Sequence, residues 1–284
     1  MAGSGRQLIG GGGSTVAAPP LRAPRARRLA KDAAIFALIA AGLVYAAALL
    51  VGHQNYDWQW FRLERYLYIV HNGTFYPGPL LRGLVVTLQI SAWAMLISAV
   101  LGLMLALMRA SSLVTARALS RGYIEVVRNI PILVLLFLFY FVVAPIFGIS
   151  RFWSGVLTLA LYEAAFAAEV YRAGMAAVPR GQKEAAAAVG LTPWQGLRYI
   201  VVPQSLPFIL PAMTNLAINL IKHSAIVSVI AIFDLTNEGR NVIAETFMVF
   251  EVWFAVAAIY LAVATLLSLF AGMIETRTKR FYRR

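Results

Sequence analysis

Long apolar stretches separated by short polar segments run through most of the chain, and they predict a membrane protein built from helices. A helix of about 20 apolar residues is long enough to cross the hydrocarbon core of a bilayer. Six stretches approach or exceed that length: 33–51, 80–108, 124–147, 152–171, 205–231 and 252–274. The predicted fold class is an all-α membrane protein with about six transmembrane helices.

The composition agrees with that class and excludes several others. Of the 284 residues, 61% are hydrophobic and only 13% are charged, whereas about a quarter of the residues of a soluble domain are charged. The absence of cysteine excludes a disulfide framework, a thiolate metal site and a cysteine nucleophile. The three histidines are far apart and no Gly-x-x-x-x-Gly-Lys sequence is present, so we predict no metal site, no cofactor and no catalytic residue in this chain.

The net charge of +13 is distributed as in a membrane protein rather than a nucleic-acid-binding one. If the N-terminus is cytoplasmic, eighteen of the 25 Lys and Arg residues fall on the cytoplasmic side, five fall outside and two lie within spans. Cytoplasmic loops are enriched in Lys and Arg. The bias therefore predicts a multi-pass protein of a bacterial inner membrane with both termini cytoplasmic, and no nucleic acid partner.

The ends of the chain receive separate predictions. Residues 1–32 combine a glycine run with a basic run and predict a disordered cytoplasmic tail, and 276–284 predict a second basic tail. The stretch 33–51 is similar in outline to a signal peptide. Its length of about 19 residues and the lack of a clear cleavage site favour an extra N-terminal transmembrane helix instead.

The outer segment 52–79 is rich in tryptophan, tyrosine and phenylalanine. Aromatic side chains accumulate at the membrane–water interface, so one interpretation is an interfacial belt. A second is a docking surface for an extracytoplasmic partner. The two are compatible, and both stay open.

The polar segment 176–203, between the fourth and fifth stretches, predicts two short helices joined by a sharp turn. A first helix over about 180–189 follows Pro179 and contains four successive alanines, which are strong helix formers. Gly190 is placed to end it in a left-handed C-cap. Thr192, Pro193 and Gln195 then form a capping box for a second helix.

We expect this second helix to run to about Val202 and to stop at Pro203. The small alanines allow close approach of a partner, so the helix pair is suited to filling a groove on another protein. The alternative is an ordinary loop that rests on the bilayer.

The same segment resembles the coupling loop of permease subunits in bacterial ABC importers. Glu184-Ala185-Ala186, three residues, Gly190, nine residues and then Ile200-x-Val202-Pro203 are similar to the "EAA" pattern, with Val202 where that pattern has Leu. Stretches 81–88, 123–131, 168–174 and 203–205 resemble the polar amino acid subfamily. The resemblance covers roughly 80–275 and points to the permease of a polar amino acid importer, of the histidine, glutamate and general L-amino acid type.

The resemblance implies a five-helix permease core over 80–275 in addition to the extra N-terminal helix. It also implies three partners besides membrane lipid: a dimer of ABC ATPase subunits that hold ATP and Mg²⁺, a second permease subunit that is a copy or a different chain, and a periplasmic amino acid-binding protein. It assigns contact with the ATPase to Arg180, Lys183, Glu184, Ala185, Ala186, Gly190, Thr192, Pro193, Ile200 and Pro203.

The function that follows is inward movement of polar L-amino acids by alternating access. ATP-driven closure of the ATPase pair would move the 180–202 helices as levers that tilt the spans on either side. Two alternatives stay open. One is the same architecture with another solute, such as an opine, a small peptide or an organic ion. The other is a secondary carrier or a membrane scaffold.

Polar residues within the spans are candidates for the solute pathway: Gln89, Glu163, Asn215, Asn219, Lys222 and His223. Glu163 has no Lys or Arg three or four residues away, so it contacts solute or has a protonated or helix-bonded structural role. The last four lie roughly on one helix face. Lys222 is placed to neutralise a solute carboxylate, to snorkel or to pair with Glu163. His223 is a packing residue or a functional one.

Two charge pairs and two departures from the family pattern also involve residues of the predicted spans. Glu169 and Arg172 have the i, i+3 spacing of a local ion pair. Glu125 and Arg128 have it too, and a contact from Arg128 to the 176–203 segment is the alternative. His223 departs from the family pattern, which has Asp at this position. Glu163 also departs from it, since related permeases have a small hydroxyl residue there.

Overall fold

The computed structural model describes residues 25–52 and 56–282, and these residues are almost entirely helical. The chain divides into two compact units, of which Met1–Asp57 is the first and Trp58–Arg284 the second. In the described part of the first unit, a single helix, α1, spans Arg25–Gly52. Helix α1 begins inside the predicted tail 1–32, and residues 1–24 of that tail lie outside the described residues.

The second unit begins with an outer segment and continues as a helical bundle. The outer segment contains α2 (Trp60–Leu67), β1 (Tyr68–His71) and β2 (Thr74–Pro77). The bundle contains α3 (Pro79–Ala110), α4 (Val114–Asn129), α5 (Ile132–Leu138), α6 (Ala144–Phe147), α7 (Arg151–Ala176), α8 (Arg180–Ala188), α9 (Pro193–Gly196), α10 (Val202–His223), α11 (Leu235–Thr246) and α12 (Val249–Tyr282). Two π-helical turns, Phe139–Val143 and Leu197–Val201, and a 3₁₀ segment, Ser224–Ile230, join consecutive helices.

The all-α fold class is confirmed, and the number of spans is approximate. Among the described residues, Pro79–Ala110, Pro193–Ile230 and Val249–Met273 are long and apolar enough to cross a membrane. The bent pair Val114–Asn129 and Ile132–Phe147 makes a fourth when it is counted as one span. Helix α7 has 26 residues, a length of about 39 Å at 1.5 Å per residue, but its charged side chains lower its mean hydropathy.

One predicted span is broken in the structure. The stretch 124–147 was expected to be continuous, but α4 and the helical segment Ile132–Phe147 meet at 108°. The break falls at Ile130, which is extended (φ −92°, ψ 129°), directly before Pro131. A proline disfavours the helical conformation of the residue before it, so the break in the predicted span has a local cause.

Close packing of α3 against α7 forms the centre of the bundle. A Cβ atom added at Gly102 would lie 2.6 Å from Ala167 Cβ and 3.0 Å from the backbone nitrogen of Ala168. Ala164 and Ala160 are also fully buried here. Small residues at a contact allow the helix backbones to approach closely, so the alanine-rich sequence of α7 positions it as the central helix.

We expect Gly102→Ala to lower the free energy of unfolding by about 1–3 kcal/mol, because the added methyl group overpacks this contact. Gly122→Ala on α4 is the matched control, since no atom lies within 4 Å of its added Cβ. Unfolding of both purified variants in mixed micelles measures the difference. Equal losses of stability in the two variants would contradict the packing described here.

The outer segment holds the only β-structure among the described residues. Strands β1 and β2 pair antiparallel around Asn72 (φ 51°) and Gly73 (φ 74°), both left-handed. The rings of Trp58 and Trp60 stack with centroids 5.7 Å apart, and each lies next to a phenylalanine near the start of α12. The segment 52–79 is therefore partly a hairpin, and its role as belt or docking surface stays a prediction.

Candidate coupling and transport site

The first half of the 176–203 segment folds as its residues predict. Helix α8 ends at Ala188 with Val189 as its C-cap, and Gly190 follows with a left-handed backbone (φ +82°). Its N–H donates to the Ala187 carbonyl (3.0 Å), and the N–H of Leu191 donates to the Ala186 carbonyl (3.1 Å). This pair of bonds is a Schellman C-cap. The predicted turn at Gly190 is confirmed.

The second half begins as predicted and ends differently. The Thr192 hydroxyl accepts from the Gln195 N–H (3.4 Å), and the Gln195 side chain accepts from the Thr192 N–H (2.9 Å). The capping box is confirmed. The prediction that Pro203 stops the helix is wrong, because α9 passes through the π-helical turn into α10 and Pro203 lies in the first turn of α10. Proline has no N–H to donate, and the wider π-helical turn directly before it, in which the Val202 N–H donates to the Leu197 carbonyl, carries the helix past it.

We call residues 180–201 the knob. Its exposed surface includes large apolar side chains: Val189 is 76% exposed, Trp194 62% and Tyr199 62%. Glu184 is also exposed, whereas Ala186 is buried. Large exposed apolar side chains on a polar segment between spans are candidates for a protein contact. These three residues were not among the predicted contact residues, since their exposure depends on how the knob turns.

The rest of the predicted contact set is spread over both faces of the knob. Arg180, Ala185 and Pro193 are exposed, and Ile200 and Pro203 are half-buried. Lys183 reaches back towards the bundle, with its ammonium 3.4 Å from the Met175 carbonyl. The knob therefore has an exposed face and a face turned to α7.

The knob is attached at both ends to helices that pack on each other. Helix α7 leads into it and α10 leaves it. Near the knob, Gly174 of α7 lies against Ile209 of α10, and a side chain at Gly174 would collide with it. At the other end of α7, Gly155 lies against Val227 of the 3₁₀ segment. The knob is thus attached to two helices that contact each other near it, and α7 also contacts the 3₁₀ segment that follows α10.

Between these two contacts lies an ion-pair position. His223 Nδ1 is 2.8 Å from Glu163 Oε1. The Glu163 side chain is 3% exposed and that of His223 is 43% exposed. The suggested pairing of Glu163 with Lys222 is wrong, because the neighbouring His223 occupies that position. Glu163 is a buried acid that joins α7 to α10.

Three further candidate polar residues of α10 line a separate cleft of about 570 Å³. Asn215, Asn219 and Lys222 face Thr265 and Ser268 of α12 across it. The predicted shared face holds for these three residues, whereas His223 turns to α7. Gln89 is exposed on α3 and does not line this cleft. The two hydroxyls on α12 were not predicted, because their stretch carries no other polar signal.

The predicted ion pairs near the knob have mixed outcomes. Arg172 lies 2.8 Å from the Glu169 carboxylate, as predicted, and Arg109 of α3 also pairs with that carboxylate. Arg128 does not follow its prediction, since its guanidinium lies over the Phe166 ring, 5.4 Å from the centroid. Glu169 thus joins α3 to α7 at the end of the bundle that carries the knob.

Comparison with known proteins identifies the family. Residues 98–280 match the family described as the binding-protein-dependent transport system inner membrane component. The chain belongs to this family. The knob and the α10–α12 cleft lie within the matched residues, and the permease core 80–275 overlaps them. The protein is a membrane permease with several apolar helices.

Individual relatives show how much of the permease is matched. The probable glutamine ABC transporter permease protein GlnM of Bacillus subtilis is 37% identical over 198 residues, which is 69% of this chain and 91% of GlnM. The L-cystine transport system permease protein TcyL of the same organism is 36% identical over 216 residues, 73% of this chain and 90% of TcyL. A crystal structure of an amino acid ABC transporter with histidines is 39% identical, with a TM-score of 0.66 over 70% of this permease and 94% of that chain.

Proposed function

We propose that this chain is the transmembrane permease subunit of an ABC importer that moves polar L-amino acids into a bacterial cell. The observation that carries the proposal is the family match over residues 98–280. The relatives support amino acids over an opine, a peptide or an organic ion, since GlnM and TcyL are named for glutamine and L-cystine. Polar amino acids are the solute class common to both names.

The knob is the proposed contact with a separate ATPase. Its exposed Val189 and Trp194 are suited to a groove on a partner, and its Gly190 turn presents them at the end of a helix pair. ATP and Mg²⁺ belong to that ATPase, and a periplasmic amino acid-binding protein delivers solute. The excess of Lys and Arg on the knob side supports a cytoplasmic knob and cytoplasmic termini.

The proposed mechanism is alternating access driven through the knob. Closure of the ATPase pair displaces the knob, and α7 and α10 follow because they are attached to its two ends. Contacts at Glu163 and Gly174 hold these helices together, so they move as one lever. The two prolines within α10, Pro207 and Pro211, are the points where it can bend.

The cleft between α10 and α12 is the proposed part of the solute pathway. Lys222 offers a cation for the solute carboxylate, and Asn215 and Asn219 offer hydrogen bonds to it. Glu163 and His223 are adjacent to this cleft and are proposed to hold α10 in position rather than to bind solute. A second permease subunit would close the open side of the cleft.

Reconstitution tests this function directly. The chain, its co-purified ATPase and its binding protein are placed in liposomes, and uptake of labelled glutamine, cystine, histidine and glutamate is measured with and without internal ATP. We expect uptake of at least one of them that requires both ATP and the binding protein. Uptake by this chain alone without ATP would overturn the proposal.

A further inference from the structure

A second, larger cavity lies between the knob and the bundle. It has a volume of about 730 Å³ and is bordered by α3, α4 and α7 on one side and by the knob on the other. Its floor is formed by small and apolar side chains, including Ala106 and Met175. The volume is in the range of small-molecule sites. Four of the lining residues, Lys183, Ala186, Thr192 and Pro193, belong to the predicted ATPase contact set, but the three arginine side chains described next have no role in the proposed transport mechanism.

The wall of the cavity is strongly basic. Four cationic side chains line it, and no acidic side chain does: Arg109, Arg121, Arg172 and Lys183. The Glu169 carboxylate pairs with Arg109 and Arg172 from behind the wall. One negative charge against four positive charges leaves an excess of three. In the part of the chain that the structure describes, Arg121 and Lys183 are in no ion pair. A cavity with this balance attracts an anion.

The surroundings of the cavity identify the kind of anion. Three apolar side chains near Arg109 and Arg121, on α4 and the turn before it, are exposed: Leu113 (65%), Val114 (70%) and Leu119 (68%). Exposed apolar side chains beside a basic pocket at the end of membrane helices suit a molecule with an anionic head and apolar chains. Basic pockets between transmembrane helices on the cytoplasmic side bind the head groups of anionic lipids.

An acidic segment of the ATPase is the other candidate, and the geometry favours it less. Val189 and Trp194, the exposed apolar residues of the knob, do not line the cavity. A partner seated on them is not thereby brought to Arg121. A protein segment that fills only the cavity would also leave Leu113, Val114 and Leu119 uncovered.

We propose that this cavity binds the phosphate-bearing head group of an anionic phospholipid, with the acyl chains lying on the apolar surface of α4 and the α3–α4 turn. The bound head group would contact Lys183 of the knob and Arg109 and Arg121 of the bundle at once. It would therefore link the knob to the helices that do not carry it. The binding step does not depend on transport.

Lipid binding can be counted on the purified permease. The full chain is delipidated in neutral detergent and titrated with phosphatidylglycerol or phosphatidylcholine, and bound lipid is measured by native mass spectrometry. We expect phosphatidylglycerol to be retained and phosphatidylcholine to be lost. Arg121→Gln should weaken phosphatidylglycerol binding about tenfold, because a charge-assisted hydrogen bond to phosphate is lost, and Arg121→Lys should restore much of it.

Arg117→Gln is the matched control. It removes one positive charge from the same helix, but Arg117 donates to the Ser111 carbonyl (3.0 Å) and does not line the cavity. Equal loss of phosphatidylglycerol in Arg117→Gln and Arg121→Gln would overturn the proposal. Displacement of the lipid by glycerol phosphate at equal concentration would identify a free phosphate site instead. Unchanged lipid binding in Arg121→Gln with reduced ATPase retention would identify an ATPase contact and also overturn it.

Discussion

Replacing Gly190 by valine is expected to weaken association of the permease with its ATPase about tenfold or more. Gly190 has φ +82°, and a left-handed backbone costs an L-residue roughly 1–2 kcal/mol, with β-branched residues at the upper end. The chain relieves this strain by opening the turn, which moves Val189 away from Trp194. Since a difference of about 1.4 kcal/mol is tenfold in affinity, the amount of ATPase that co-purifies with the permease measures the effect.

Gly181→Val is the control for this prediction. Gly181 belongs to the same knob, and like Gly190 it has no atom within 4 Å of an added Cβ. Its backbone is helical rather than left-handed, so valine is tolerated there. We expect Gly181→Val to retain the ATPase at close to the unmodified level. Equal losses in both variants would show that the turn at Gly190 is not what presents the knob.

Replacing His223 by leucine is expected to destabilise the permease by about 1–3 kcal/mol. The substitution removes the partner of Glu163, whose side chain is only 3% exposed. A buried polar group that loses its hydrogen-bond partner costs about 1–3 kcal/mol. Unfolding in mixed micelles measures the loss. We also expect uptake to fall, because α7 and α10 lose a contact between the two ends of the lever.

A double-substitution cycle separates this effect from simple loss of packing. The cycle compares Glu163→Leu and His223→Leu with the variant that carries both. The double variant has neither polar group, so it should be markedly more stable than His223→Leu alone. His71→Leu, at an exposed position of β1, is the control for the same chemical change and should be nearly neutral. If the two single substitutions simply add in the double variant, the pair is not coupled.

The parts of the fold that depend on neighbouring residues could be predicted from the sequence. The Gly190 turn and the Thr192 capping box depend on residues within one helical turn of each other, and both were confirmed. The break before Pro131 and the hairpin at Asn72-Gly73 also have local signals. The apolar stretch 124–147 continues across Pro131, and this favoured an unbroken span. The aromatic residues of segment 52–79 favoured an interfacial or docking role over a hairpin.

Features that depend on packing between distant helices could not be predicted. Glu163 and His223 are 60 residues apart, and both depart from the family pattern, so neither spacing nor resemblance joins them. Lys222 was an equally reasonable partner for Glu163 until the rotation of α10 was known. The basic cavity joins α3, α4, α7 and the knob, and no one of these segments indicates it alone.

The proposed import mechanism depends on one contact, between the knob and a separate ATPase on the cytoplasmic side. The family match makes this chain a permease, and the α7–α10 lever has a function only if a motor displaces the knob. Three predicted spans, 80–108, 124–147 and 152–171, separate the hairpin turn of β1 and β2 from the knob, with the bent stretch counted as one crossing. The turn and the knob are therefore expected on opposite faces of the membrane.

Site-specific cross-linking tests this contact most directly. The chain has no cysteine, so Val189→Cys on the knob and Asn72→Cys in the hairpin turn each introduce a single thiol. We predict that a short maleimide–benzophenone reagent, coupled to the introduced thiol and then activated by light, joins Val189→Cys to the ATPase subunit in the assembled complex. Asn72→Cys should give no such product. A cross-link to the ATPase from Asn72→Cys, or none from Val189→Cys in an intact complex, would contradict the account.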